Sequence, residues 1–346
     1  MLQPSLNELL KQTSRSFYLT LRVLPAAVRP QIGLAYLLAR TTDTVADTEI
    51  VSVAQRLAAL QQLRGRIYGT YDTPLNLGAL AQPQGLPAER SLLERVEETL
   101  ALLERSAPKD LPLIRKVLDT ITSGQELDLQ RFAGASGEHL IALRSDGELD
   151  DYTYRVAGCV GEFWTKMCRA HLFPGAKLDD NAFLANAVRF GKGLQLVNIL
   201  RDLPADLRKG RCYLPTDKLS EAGLRPDDLL QPATEEKLRP LYHHYLDLAE
   251  AHLAAGWVYT NAVPRGQVRV RLACAWPILI GVRTLRRLRT EKILTPERRI
   301  KISRSEVRRV MVQSVLCYPW PAAWHRLFST AAPAARKPEG TKDASD

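Results

Sequence analysis

The 346-residue chain lacks the marks of an exported, membrane-spanning or disulfide-built protein. Its five cysteines, Cys159, Cys168, Cys212, Cys274 and Cys317, are odd in number, widely spaced and without a CxxC pair, which argues against a disulfide framework and a zinc site. They read as reduced core residues. No apolar run nears the roughly 20 residues that cross a bilayer. The longest, Leu272 to Val282, stops at Arg283. The opening MLQPSLNELLKQTSR has no signal-peptide run and sets Glu8 among its leucines, so a cytoplasmic protein is expected. The six histidines follow no metal-ligand spacing, and no GxGxxG marks a nucleotide site. With 45% hydrophobic and 25% charged residues, fibrous and largely disordered classes are excluded.

Strand patterns are also nearly absent, and what fills the chain is helical. Leu-, Ala-, Arg- and Glu-rich segments carry apolar residues at three- and four-residue spacing almost throughout. The spacing predicts helices over about Pro30 to Thr48, Val53 to Tyr71, Ala88 to Arg105, Leu111 to Phe132, Gly137 to Ala170, Asp180 to Arg208, Thr234 to Asn261, Arg269 to Arg289 and Ser303 to Cys317. Breaks fall at Pro83-Gln84-Gly85, Phe173-Pro174-Gly175 and Pro264-Arg265-Gly266. No linker separates two compositions, so one all-α domain over residues 1–330 is expected, followed by a polar, proline-bearing tail at 331–346 that reads as disordered.

The 48 basic residues outnumber the 38 acidic ones, for a net charge of +10. The excess concentrates between Arg283 and Arg309, where eleven Arg and Lys face only Glu291, Glu297 and Glu306. Such a run is most often a solvated face, and it also suits an anionic membrane surface. Nucleic acid is the poorest reading, because the run has no interleaved aromatics and no binding motif.

Asp43 and Asp47 lie one helical turn apart inside an otherwise apolar stretch. Like charges at that spacing destabilise a helix unless a cation answers them. The same spacing returns at Asp202 and Asp206. Two such pairs facing one cavity could hold hard divalent cations through oxygen, and magnesium's preference for few carboxylates plus phosphate oxygens implies a phosphorylated ligand. A single pair would be a solvated face. The second pair differs, since Gln195, Asn198, Asp202 and Asp206 form one polar stripe on a helix otherwise made of Leu194, Leu196, Val197, Ile199 and Leu200. Tyr36, Arg40, Asp43 and Asp47 repeat the stripe upstream, and Arg201, Arg208, Lys209 and Arg211 add positive charge downstream. Pro204 sits between the second pair, where a kink or local unwinding is expected.

These residues resemble the squalene and phytoene synthases, the head-to-head prenyl synthases. The resemblance runs from about Thr13 to Leu288. It rests on SRSF at Ser14 to Phe17, YLLARTTDTVAD at Tyr36 to Asp47, YTYRVAGCVG at Tyr152 to Gly161 and QLVNILRDLPAD at Gln195 to Asp206. It implies an all-α isoprenoid synthase fold around a central cavity, where two prenyl diphosphates condense to a cyclopropylcarbinyl diphosphate that is then ionised again and rearranged. By the same resemblance, Asp43, Asp47, Asp202, Asp206 and Asn198 are magnesium and diphosphate ligands. Tyr36, Arg40 and Tyr152 become catalytic candidates, with Tyr152 matching a tyrosine tied to proton removal. Phe17, Arg40, Val156, Ala157, Gly161, Gln195, Asn198, Arg201, Arg208, Arg211 and Tyr213 become substrate contacts. The small residues Ala157, Gly158 and Gly161 suit close helix packing and tunnel lining equally.

Within the family, CAWPILIGVRTL at Cys274 to Leu285 and LARTTDTVAD look closer to squalene synthases, whereas LRKGRCYLP after the second pair is similar to phytoene and bacterial hopanoid-pathway enzymes. The resemblance therefore implies farnesyl diphosphate as substrate and magnesium as cofactor. NADPH follows if the last cation is reduced to squalene. Phytoene, dehydrosqualene or presqualene diphosphate synthesis is the alternative. Peripheral contact with an anionic membrane face is expected from the arginine run and a lipid product, and no nucleic-acid partner is expected.

Overall fold

The computed structural model describes residues 4–14, 17–82, 84–295 and 300–331, with side chains described from Asn7 onward except at Phe17. The tail expected from residue 331 falls almost wholly outside them. Helices α1 (Pro4–Ser14), α2 (Phe17–Val23), α3 (Arg29–Asp47), α4 (Val53–Tyr68), α5 (Gly78–Ala81), α6 (Pro87–Glu94), α7 (Val96–Glu104) and α8 (Leu111–Arg131) form the first half. Then come β1 (Ile141–Ala142), α9 (Asp146–Thr153), a π-helical turn at Tyr154–Gly158, α10 (Cys159–Leu172), α11 (Asp180–Arg208) and β2 (Arg211–Cys212). The chain closes with α12 (Thr216–Glu221), α13 (Glu235–Ala262), α14 (Val268–Thr290), α15 (Arg304–Cys317) and α16 (Pro321–Ala331). The architecture is all-α, as the periodicity predicts.

Local signals explain the helix starts. Ser52 accepts from the Gln55 amide at 3.3 Å while Gln55 accepts from the Ser52 amide, closing a capping box at α4, and Ser303 and Glu306 do the same at α15. Asp179 caps α11 by accepting from Ala182 at 3.0 Å. The helix predicted over Gly137 to Ala170 does not form as one piece. Its first residues enter a two-residue parallel pairing of β1 with β2, and Ser145 caps a fresh start at Asp146. The Ala88 to Arg105 prediction likewise breaks at Arg95 into α6 and α7.

Two large apolar clusters hold the bundle. One gathers α3, α4, α7 and α8; the other gathers α11, α13 and α14, with Tyr242, Tyr245 and Leu253 fully buried. Each large side chain withdrawn from water in this way contributes about 1.5–3 kcal/mol before entropy is counted. The five cysteines are unbridged, and all but Cys317 are buried. No described helix is long and apolar enough to cross a membrane.

α11 is the central strut, packed most extensively against α13. Contrary to the expected unwinding, it stays helical through Pro204. A proline there withholds its amide from the Leu200 carbonyl, and the fully buried Tyr242 hydroxyl of α13 donates to that carbonyl at 2.9 Å instead. The tertiary bond replaces the missing helical one. The helix therefore carries both Asp202 and Asp206 on a regular backbone.

Candidate active site

A cavity of about 790 Å³ opens between the two apolar clusters, lined by α2, α3, α8, the α9–α10 stretch, α11 and α14. Its lining on α11 runs from Ala187 to Asp206, which at the helical rise is roughly 28 Å. Polar residues crowd one end of that span and apolar ones fill the rest.

Tyr36, Arg40, Asp43 and Asp47 all line the cavity from one face of α3, as their spacing predicts. The end of that helix is fixed by Arg56, which donates to the Ala46 carbonyl at 2.7 Å. Arg40 forms an ion pair with Asp43 and a second with Glu89 of α6, so its guanidinium is shared. Burial and the charge of Asp47 still push the Asp43 carboxyl up to about 6, with Arg40 only partly offsetting them. The Tyr36 hydroxyl is engaged with the α1 carbonyl of Thr13 at 3.2 Å, which ties α1 to the mouth.

Across the cavity, Gln195, Asn198, Arg201, Asp202 and Asp206 line it from α11. Asn198 donates to Gln195 at 3.4 Å, and Arg201 pairs with its neighbour Asp202. The Asp206 carboxylate makes no hydrogen bond or ion pair among the described residues. Burial and the charge of Asp202 push its carboxyl up to about 7, Arg211 and Lys209 lowering it only from a distance. Arg208, expected as a substrate contact, is exposed and does not line the cavity. It stands two residues past Asp206, on the opposite side of the helix, whereas Lys209, three past, shares the Asp206 face and takes the place at the mouth. Lys209 also bridges to Glu49 just beyond α3, at 3.1 Å.

The turn after α11 depends on Gly210, whose φ of +80° and closeness to the Ser136 backbone exclude a side chain. It leads into β2, where residues two apart share a face, so Arg211 and Tyr213 both meet Asp128 of α8. The Tyr152 hydroxyl donates to Tyr213 at 3.3 Å over stacked rings, and Tyr213 donates to the Asp128 carboxylate at 3.2 Å. Arg211 reaches the same carboxylate at 3.4 Å. Burial and the Asp128 charge hold the Tyr152 phenol well above its ordinary range, and burial followed by the Tyr152 and Asp128 charges does the same for Tyr213. Burial pushes Asp128 up to about 6. The three groups form a short hydrogen-bonded chain ending in a carboxylate that burial raises to about 6.

Sequence reasoning missed Asp128, although Val117, Ile121, Gln125 and Asp128 form a cavity-lining stripe at helical spacing in which an apolar run turns polar. Glu89 was missed as well. It lies 49 residues from Arg40 on another helix, with no local signal.

Val156 and Ala157 line the cavity from the π turn, and Gly161 from the start of α10. A side chain on Gly161 would meet the Ala187 carbonyl at 2.0 Å, and one on Gly191 the Ala157 carbonyl at 2.1 Å. Close packing and lining, open alternatives in the sequence, are both served by Gly161. Phe17, expected against the prenyl chain, has its side chain outside the described residues. Phe163, Trp164, Phe190 and Tyr259 complete the apolar part.

The donor set suits magnesium. Four carboxylates face one cavity as two pairs, and two of them are raised by burial and an adjacent like charge that protein cations do not cancel. Among the described residues no three His, Cys, Asp or Glu side chains converge on one point, so a bound cation would draw its remaining ligands from a phosphorylated substrate and water. An anionic mouth with arginines beside it, over an apolar chamber, defines an isoprenoid-synthase type of site.

The comparisons agree with that class. The family model for squalene/phytoene synthase matches residues 10–306, and the chain belongs to that family, the head-to-head prenyltransferases. Its members carry out magnesium-dependent prenyl diphosphate chemistry. A bifunctional lycopene cyclase/phytoene synthase from Gibberella fujikuroi is 31% identical over 79% of this chain, which spans only 46% of that protein. The chain thus spans about half the length of the first curated relatives it matches. A presqualene diphosphate synthase from Rhodopseudomonas palustris is 29% identical over 73% of this chain and 77% of its own. The solved TcSQS complex with the ligand E5700 superposes with a TM-score of 0.77 at 21% identity, covering 94% of this chain and 88% of that one, and shows the same fold.

Proposed function

We propose that this chain is a squalene synthase, with residues 1–330 acting as one catalytic domain on two molecules of farnesyl diphosphate. The observation that carries this reading is the cavity itself, with four aspartates and the cations Arg40, Arg201, Lys209 and Arg211 at one end and an apolar chamber behind them. The segment that looks like squalene synthases, CAWP, supplies Cys274 and Pro277 to that chamber wall, beside Ala273.

Magnesium held by Asp43, Asp47, Asp202 and Asp206, with Asn198 beside them, would neutralise the diphosphate as it leaves. Arg40, Arg201 and Arg211 bind the phosphate oxygens as forks, and Gln195 orients them. The aromatic and aliphatic walls, including Val156, Ala157 and Gly161, keep water from the allylic cation, and ring faces stabilise it. Tyr152 accepts the proton lost on cyclopropane formation, and its own proton passes through Tyr213 to Asp128. Tyr36 holds α3 against α1. Reduction of the final cation would take its hydride from NADPH, to which no residue of this chain is assigned. A hydrocarbon product leaves most readily into a lipid phase.

The likeness to the Rhodopseudomonas palustris protein over most of both chains favours a second reading, in which the reaction stops at presqualene diphosphate. The purified protein incubated with magnesium and farnesyl diphosphate, with and without NADPH, separates the two when products are identified by mass spectrometry. Squalene formed only with NADPH is the expected result. Presqualene diphosphate persisting with NADPH would replace the first reading by the second, and product only from geranylgeranyl diphosphate would overturn both.

A further inference from the structure

Exposed large apolar side chains are scattered singly over the described surface except in one place. Val312, Val315, Leu316 and Trp320 are 57%, 52%, 62% and 63% exposed and fall within nine residues of one another at the end of α15 and the turn into α16. Of the other large apolar residues left exposed, only Ile50 and Val258 pass one half. Isolated exposed apolar residues need no explanation, but a cluster does.

The cluster is ordered. Arg309, Val312 and Leu316 follow at spacings of three and four, and Arg308, Val312 and Val315 at four and three, so they share one stripe of the helix, with Trp320 in the turn just past its end. The opposite face is the buried one, where Val310 is in the core and Ser314 accepts from the Trp276 indole at 2.8 Å. The apolar stripe is therefore additional to what packing on α14 requires.

Charge along the stripe has one sign. Arg304, Arg308 and Arg309 are exposed and make no ion pair or hydrogen bond among the described residues. Glu306, the one acid of α15, is taken by Arg287 at 2.9 Å, and no acidic residue occurs from Arg308 to Ala331. Other members of the basic run are consumed internally, Arg289 by Asp247 and Glu250, and Arg286 by the Thr330 carbonyl. Arg298 and Arg299 lie outside the described residues. Among the described residues the exposed set beside the apolar stripe is left without a countercharge, as are Lys292 and Lys301.

We propose that this outer face of α15, ending at Trp320, docks the protein on an anionic bilayer surface. A helix lying in the interface with arginines for the headgroups, aliphatic side chains below them and a tryptophan at the boundary matches the chemistry of such a surface. A two-fold contact with a second copy would instead oppose two clusters of like charge with no acid on the stripe to answer them. The position also connects to the cavity, because α14 presents Trp276 to α15 and Ala273, Cys274 and Pro277 to the chamber. A single helix thus separates the docking face from the apolar compartment. The inference stands whatever prenyl product the enzyme makes.

The test is co-sedimentation of the purified full chain with vesicles of phosphatidylglycerol and phosphatidylcholine, against vesicles of phosphatidylcholine alone, across a salt series and without substrate. The protein is expected to sediment with the anionic vesicles only and to be released by salt. Arg308→Glu with Arg309→Glu, and separately Leu316→Ser with Trp320→Ser, should each weaken binding by roughly tenfold or more. Both double variants should unfold at the temperature of the parent protein and keep its turnover of detergent-dispersed substrate. Binding that is absent, equal on neutral vesicles, or unchanged in both variants would overturn the proposal. So would a dimer in light scattering that either variant dissociates, since the face would then belong to a second copy.

Discussion

The two aspartate pairs have the same spacing on their helices and face the same cavity, yet their surroundings differ. On α3, Arg40 stands beside Asp43 and is itself anchored by Glu89 from α6, so the first pair carries a countercharge fixed from two sides. On α11, Arg201 turns to its immediate neighbour Asp202, and Asp206 is left with burial and a like charge, its carboxyl raised to about 7 against about 6 for Asp43. The backbones differ too, since α3 is an ordinary helix and α11 carries a proline between its aspartates. Each pair has one aspartate answered by an arginine, and only the arginine of the first is itself held by a second carboxylate. A chamber that must seize a diphosphate and then release it has reason to hold one side fixed and leave the other to be completed by the ligand.

The largest effect expected from breaking this arrangement is on turnover. Asp43→Asn and Asp206→Asn should each lower it by roughly a thousandfold or more, as loss of leaving-group stabilisation does, measured as product per enzyme under saturating magnesium. Their effects on the metal-free protein should differ in sign. Asp206→Asn removes an unanswered carboxylate and should raise the melting temperature at neutral pH, whereas Asp43→Asn leaves Arg40 with one partner fewer and should not. A common downward shift would show the two sides to be alike.

Next in size is Asp128→Asn, which keeps the shape of the acceptor for Tyr213 but removes its charge. Turnover should fall by roughly a hundredfold with little change in KM, in line with the loss of a proton acceptor. An unchanged kcat would remove the Tyr152–Tyr213–Asp128 chain from the mechanism.

The pH dependence sharpens the comparison further. A carboxyl whose folded value is raised holds an extra proton in the folded state, so its contribution to stability is intact below the ordinary carboxylate range and is lost as pH rises through the folded value. For Asp43 that loss runs from the ordinary carboxylate range and is complete near 6, and for Asp206 near 7. Magnesium binds the ionised forms, so the rise in melting temperature that it causes should be small below about pH 5 and grow through both values. Asp206→Asn should remove the upper part of that growth and leave the lower.

The smallest expected effect is on stability alone. Tyr242→Phe leaves the Leu200 carbonyl without a donor and should cost about 1–2 kcal/mol in urea unfolding. Magnesium affinity should weaken on the Asp202–Asp206 side only, which the same substitution in an Asp206→Asn background would reveal as no further loss.

Much of this was legible in the chain. Helical periodicity gave the all-α class and placed α11 at its observed limits, because its cap, its apolar positions and its polar stripe all agree. The two aspartate stripes pointed into one cavity as their spacing required. What could not be read was whatever depends on a partner remote in sequence. β1 and β2 are two residues each, too short for any alternation to register, yet their pairing is what delivers Arg211 and Tyr213 to Asp128. Pro204 read as a kink or local unwinding because the donor that replaces its amide comes from Tyr242, on another helix. Arg208 and Lys209 are adjacent, exposed cations, and only the direction each takes at the end of the helix separates the one at the cavity mouth from the one away from it.

The backbone contacts at Gly161 and Gly191 carry a lesson for anyone who would re-engineer the chamber. Where two helices touch main chain to main chain, neither can slide outward or inward without losing its seat, so that wall is a fixed gauge. Room for a longer or bulkier isoprenoid has to be carved from protruding rings such as Phe163 and Phe190, and a programme of substitutions aimed at spreading the helices apart would spend its variants on misfolded protein.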